Sequence, residues 1–164
     1  MKYLAIDNAL ATSGWAFFED EKLIDWGTFK TKSTDSIGER LANIKNTVTN
    51  LAWNADKVFF EDCQNQSNKN IQTYHKLSMV KGIILYVCTT ECKKYECLAP
   101  SHWRSVLNKK FNVKFGRSRA EQKKKSKEFV KEHFNIEATE DECDAICLGY
   151  AGILDSQNKL DWSE

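Results

Sequence analysis

Lys2-Tyr3-Leu4-Ala5-Ile6-Asp7 opens the chain as a short apolar run that stops on a carboxylate, the pattern of a buried strand with an acid at its C-terminal end. Working outward, residues 13–18 and 22–29 read as two more strands joined by the acidic turn Glu19-Asp20-Glu21. The opening therefore predicts a three-stranded antiparallel meander. Ser33 or Thr34 is placed to cap a helix through about residue 52, in which Ile37, Leu41, Ile44, Val48 and Leu51 recur on one face. Lys57-Val58-Phe59-Phe60-Glu61 then repeats the opening pattern, an apolar run ending in an acid. A polar stretch over 64–70 leads to a helix over 71–90, and residues 95–98 form another short strand. Pro100 starts a short helix with Trp103 and Leu107 on one face, and 108–116 reads as a basic loop before a helix over about 118–133. Thr139-Glu140-Asp141-Glu142 fits a capping box, with Thr139 as N-cap and Glu142 at N3, for a final helix through Ile153. The order β-β-β-α-β-α-β-α-α-α predicts an α/β fold, a mixed sheet with helices on its faces.

The 164 residues are 41% hydrophobic and 12% aromatic, with one Pro and seven Gly. That composition suits one packed domain over 1–164 and excludes collagen-like and disordered classes. No apolar run reaches the roughly 18–20 residues of a membrane helix, and the N-terminus meets Asp7 before a signal-peptide stretch forms. The expected location is a cytoplasm. The six cysteines include no C-x-x-C pair and have no nearby His at finger spacing, so free thiols are expected rather than a zinc site or a disulfide framework.

Charge is strongly segregated. Residues 1–63 hold seven basic against ten acidic side chains, 81–131 hold fourteen against four, and 132–164 hold one against nine. Arg104, Lys109, Lys110, Lys114, Arg117, Arg119, Lys123, Lys124, Lys125, Lys127 and Lys131 form a polycationic stretch of the kind that neutralises phosphates. Lys123-Lys124-Lys125 in tandem would repel one another without an anionic partner, which points to nucleic acid; the alternative reading of the run is a solvated helix face.

The chemistry is carried by acids. Asp7 and Glu61 both end strands, at the sheet edge where ligands gather in open α/β sheets. Asp141 and Asp144 are spaced i, i+3 on one face of the final helix. If that face packs over the strand ends, four carboxylates converge, and such a cluster calls for divalent cations or raised pKa values. Oxygen-only ligands point to Mg²⁺ or Mn²⁺. Two ions about 4 Å apart can activate a water and stabilise a leaving 3′ oxygen at a phosphodiester. With the basic stretch, the four acids make a metal-dependent nuclease the leading reading.

Ala5-Ile6-Asp7, Thr12-Ser13-Gly14-Trp15-Ala16, Val58-Phe59-Phe60-Glu61 and Asp141-Glu142-Cys143-Asp144-Ala145, in that order, resemble the motif set of the RuvC-type Holliday junction resolvases. The resemblance spans nearly the whole chain. It implies a ribonuclease H-like mixed five-stranded sheet with helices on both faces, a homodimer, and paired Mg²⁺-dependent nicks in a four-way DNA junction and in other branched DNA. It implies no small-molecule substrate and no membrane. By position, Asp7, Glu61, Asp141 and Asp144 match the family's catalytic, metal-holding carboxylates, and Arg104 and Lys125 fall near its DNA-contacting basic residues. Two departures stand out. Asp7 is followed by Asn8-Ala9 where the family commonly has Pro-Gly, and no aromatic follows Glu61 in Asp62-Cys63-Gln64-Asn65-Gln66-Ser67. The missing ring points toward relaxed sequence selectivity and toward the phage-borne subgroup.

Alternatives remain open at this stage: an inactive branched-DNA binder, another ribonuclease H-like nuclease, a transposase or proofreading exonuclease, or an ATPase of the sugar-kinase type. Thr12 and Ser13 are placed either to bond a phosphate or to close the turn after Asp7. His75 is a candidate phosphate neighbour. The five tryptophans read mainly as core or edge aromatics.

Overall fold

A computed structural model describes residues 1–64 and 70–161; most of the polar stretch after Glu61, and Trp162, lie outside the described residues. The strands are β1 (Lys2–Asp7), β2 (Thr12–Glu19), β3 (Lys22–Lys30), β4 (Lys57–Glu61) and β5 (Lys94–Leu98). The helices are α1 (Ile37–Ala52), α2 (Ile71–Thr90), α3 (Pro100–Phe111), α4 (Arg119–Phe134) and α5 (Glu140–Asp161). The sheet order is β3-β2-β1-β4-β5, with β1 antiparallel to β2 and parallel to β4, and β4 parallel to β5. The expected meander and the mixed five-stranded sheet are both present.

Alternation along the central strands sorts the core into two layers. Tyr3 and Ala5 of β1 and Phe59 of β4 pack with Trp103, Leu107, Phe129, Ile146 and Ile153 of α3, α4 and α5. Leu4, Ile6, Val58 and Phe60 face the other way, onto Ile44 and Val48 of α1 and Val80, Ile84 and Val87 of α2. Helix α5 touches every strand. It lies close because Gly152 meets Phe59 where a Cβ would sit 2.7 Å from the ring. Helix α2 carries apolar residues on two sides: Val80, Ile84, Val87 and Cys88 are buried, while Ile71, Met79 and Tyr86 are exposed on its outer side.

Three boundaries differ from expectation. Helix α1 starts later, because Ser36 rather than Ser33 or Thr34 closes a capping box with Glu39. The basic stretch after Leu107 is helical through Phe111, with Lys109 and Lys110 in the last turn and Asn112 as a left-handed cap. Basic side chains there suit the negative end of the helix dipole, so the loop shortens to 112–118. Helix α5 continues to Asp161, past Ile153. All six cysteines are free. Among the described residues no helix is long and apolar enough to cross a membrane.

Candidate functional site

The same alternation that builds the core aims two acids at one place. Asp7 follows Tyr3 and Ala5 on the α5 side of β1, and Glu61 follows Phe59 on the α5 side of β4. The parallel register sets Ile6 opposite Phe60, so the next step along each strand brings Asp7 beside Glu61. The turn after Asp7 reinforces this. Asn8 is buried, and its Oδ1 accepts the Glu61 backbone N–H at 2.9 Å. Ser13 bonds both the N–H and the carbonyl of Ala9, at 3.0 and 2.8 Å; of its two sequence readings, closing the turn is the one the structure bears out.

The helix-borne acids arrive through a backbone contact. Gly14 is the antiparallel partner of Asp7, and a Cβ at Gly14 would lie 1.9 Å from the Asp141 carbonyl oxygen. Only a residue without a side chain lets the start of α5 rest on β2 at that point. The expected capping box fixes the helix start: Thr139 N–H donates to the Glu142 carboxylate at 2.8 Å, and Glu142 N–H to Thr139 Oγ1 at 3.3 Å. Asp144 is one turn further in.

Asp7, Glu61, Asp141 and Asp144 thus form one electrostatic cluster. Burial first, and then repulsion from Glu61, Asp144 and Asp141, push the Asp7 carboxyl well above the usual carboxylate range, with Lys123 working against them. Burial likewise raises Asp144, opposed by Lys123 and Arg104. Lys123 reaches into the group from α4, its Nζ 3.3 Å from Glu140, 3.7 Å from Asp141 and 3.8 Å from Asp144. Burial disfavours that ammonium, but the three acids outweigh it and raise its pKa. Glu61 has a further brace: the indole N–H of fully buried Trp103 donates to Glu61 Oε2 at 3.0 Å.

Asn8, Trp103 and the position of Lys123 were not foreseen as parts of the acid site. Trp103 carried a usable signal, since a core indole N–H needs an acceptor and an acid-ended strand offers one. Asn8 carried none.

The basic candidates separate. Arg104, Lys114 and Arg117 line one cleft of about 550 Å³ between α3 and the 112–118 loop. Lys109 and Lys110 open onto a different cleft, beside His102 and Asp155. Arg119 begins α4. Lys124 and Lys125 turn to Glu128 on their own helix, at 3.9 and 2.7 Å, and Lys131 pairs with Glu137 at 3.0 Å. The argument that the tandem lysines lack anionic partners is therefore corrected: the chain itself supplies them.

As a ligand set the four acids offer oxygen donors only, around a recessed Asp7 whose charge is opposed by three others. That chemistry suits a hard divalent cation. Among the described residues no three His, Cys, Asp or Glu side chains are gathered closely enough to hold one ion in the present arrangement.

No family model matches the chain. Over 96 residues it is 31% identical to the crossover junction endodeoxyribonuclease RuvC of Ehrlichia chaffeensis, an alignment spanning 56% of this chain and 60% of that protein. Over 158 residues it is 28% identical to the enzyme of the same name from Dictyoglomus thermophilum, spanning 92% and 96%. In three dimensions it resembles Thermus thermophilus RuvC in complex with a Holliday junction substrate, with a TM-score of 0.78 and 14% identity over 96% of both chains. The fold is ribonuclease H-like.

Proposed function

We propose that this chain is a crossover junction endodeoxyribonuclease of the RuvC type, which resolves four-way DNA junctions by metal-dependent nicks. The observation that carries the reading is the cluster itself: Asp7 and Glu61 at adjacent strand ends under Asp141 and Asp144, in a chain similar along almost its whole length to a RuvC. Asp7, Glu61, Asp141 and Asp144 are the residues that would hold Mg²⁺ or Mn²⁺, two ions per site. Bound there, such ions supply an activated water and stabilise the leaving 3′ oxygen.

The remaining steps belong to the chain. Asn8 and Trp103 hold Glu61 from its backbone and its carboxylate, so that acid is oriented before substrate arrives. Lys123 balances Asp141 and Asp144. Arg104, Lys109, Lys110, Lys114, Arg117, Arg119 and Lys127 receive backbone phosphates, with Lys123, Lys124 and Lys125 beside them on α4. Nicking two opposing strands takes two copies, and the outward apolar residues Ile71, Met79 and Tyr86 of α2 are the surface offered to the second. Without a ring after Glu61, the enzyme reads branch shape more than sequence, as in the phage-borne subgroup.

The test incubates the protein and its Asp7→Asn variant with a labelled four-way junction, a three-way branch and linear duplex, in Mg²⁺ and in EDTA. Symmetric nicks near the branch point, absent in EDTA and in the variant, are expected. Tight junction binding without nicks identifies an inactive binder instead, and equal cutting of linear duplex identifies another nuclease of the same fold.

A further inference from the structure

Beside the carboxylates, the cleft between α3 and the 112–118 loop combines features that a flat phosphate track does not need. Its lining includes Arg104, Lys114, Arg117, Asn108, Gln122 and Phe115, with no carboxylate among the described residues. A volume of about 550 Å³ lies within the range of small-ligand pockets and is more than a phosphate fills. Duplex phosphates ride on a groove's rim. A recess that combines cations, side-chain amides and apolar residues in one lining suits a nucleotide that has left the helix, its base edge bonded by side-chain amides.

The cleft is also prebuilt. Gly116 has φ +77° and Asn112 φ 56°, both left-handed, which fold the 112–118 loop back. The Glu121 carboxylate then gathers the N–H groups of Arg117 and Ser118 and the Ser118 hydroxyl, at 3.1, 3.0 and 2.9 Å. A second observation points inward: Arg104 stacks its guanidinium 4.8 Å over the Trp103 ring, and its buried Nε has no hydrogen-bond partner among the described residues. A guanidinium fixed by stacking, with no ion pair among the described residues, keeps its terminal N–H donors suited to an anion. Arg104 also ties the cleft to the acids, because it acts on Asp144 while the adjoining Trp103 bonds Glu61.

We propose that this cleft takes one unpaired nucleotide of the strand to be cut, its phosphate on Arg104, Lys114 and Arg117 and its base against Asn108, Gln122 and Phe115. The inference rests on the endonuclease reading above and adds where the strand sits. Extruding a base costs least where pairing is already broken, so the cleft favours branch points over linear duplex.

The test uses the full chain carrying Asp7→Asn, bound to intact four-way junctions, each with a single 2-aminopurine at one position near the crossover. The fluorescence of that base rises when it leaves the stack. The expected result is a severalfold rise at one position, lost when Gln122→Ala or Asn108→Ala is added although gel shifts show the junction still bound. No rise at any position of a bound junction overturns the proposal, as does a rise undiminished in both variants. A junction neither bound by Asp7→Asn nor cut by the unaltered chain overturns the endonuclease reading itself, and the cleft assignment with it.

Discussion

The lysines of α4 and the cations around the α3 cleft come from one basic stretch of sequence, yet the fold treats them in opposite ways. Lys123, Lys124, Lys125 and Lys131 each lie within ion-pair distance of an acid. Among the described residues Arg104, Lys114 and Arg117 form no ion pair, and the recess they share is lined by no carboxylate. The difference has two sources: the acidic C-terminal segment folds back on α4 and brings Glu140, Asp141 and Asp144 to Lys123 and Glu137 to Lys131, while Glu128 on α4 itself pairs with Lys124 and Lys125. A run of like charge in sequence locates a polycation; which of its members remain available to DNA is decided by what packs beside them.

The sharpest way to break the comparison lies within α4. Lys123 is mostly buried against Asp144, with side-chain exposures of 18% and 15%, whereas the Lys124 side chain is 76% exposed. Lys123→Ala leaves recessed carboxylates with less compensation. After allowance for the more exposed Glu140 and Asp141, the expected loss is about 1–3 kcal/mol in urea unfolding with EDTA present. Lys124→Ala is expected to stay within about 0.5 kcal/mol. Equal losses would show that Lys123 is as loosely held as its neighbour.

The second contrast concerns DNA. Each phosphate contact removed lowers the slope of log affinity against log salt by about 0.9. The double variant Lys114→Ala, Arg117→Ala is therefore expected to flatten the slope for junction binding by about 2, and Lys124→Ala, Lys125→Ala by less than about 1. Fluorescence anisotropy across a salt series decides it. A reversed ranking would mean that DNA displaces Glu128 from the α4 lysines and that their pairing is a resting state.

The legible and illegible parts of the site divide along similar lines. Strand period and strand end were enough to put Asp7 and Glu61 at one edge of the sheet, because a side chain's face follows from position in a strand. The i, i+3 spacing and the capping box set the face and start of α5 in the same local way. What sequence could not supply was contact between distant segments. Lys123 meeting Asp144, Trp103 meeting Glu61 and Asn8 meeting the Glu61 backbone span separations that no local period encodes. The α1 start missed Ser36 because Ser33, Thr34 and Ser36 are all competent caps, and Glu39, three residues on, selects among them. The basic loop was read too long because lysines near a helix C-terminus look like loop residues until the dipole is counted.

The smallest expected effect concerns the acids without metal. Burial and three neighbouring carboxylates raise Asp7 above its ordinary value, so the folded chain binds that proton more tightly than the unfolded chain does. The stability this confers is complete below the ordinary aspartate pKa and is lost as pH rises through the raised one. Asn at position 7 does not ionise and avoids that loss. In EDTA, Asp7→Asn is therefore expected to melt above the unaltered chain at neutral pH, with the gap closing as pH falls below the ordinary aspartate value. Each 1 kcal/mol of difference moves Tm by about 2–4 °C in a chain of this size. Mg²⁺ works in the opposite sense, since a cation that binds the four folded carboxylates stabilises the unaltered chain more than the variant. A variant that melts lower than the unaltered chain at neutral pH in EDTA would mean that Lys123 and Arg104 already neutralise the cluster, and that the acids are held at no cost to the fold.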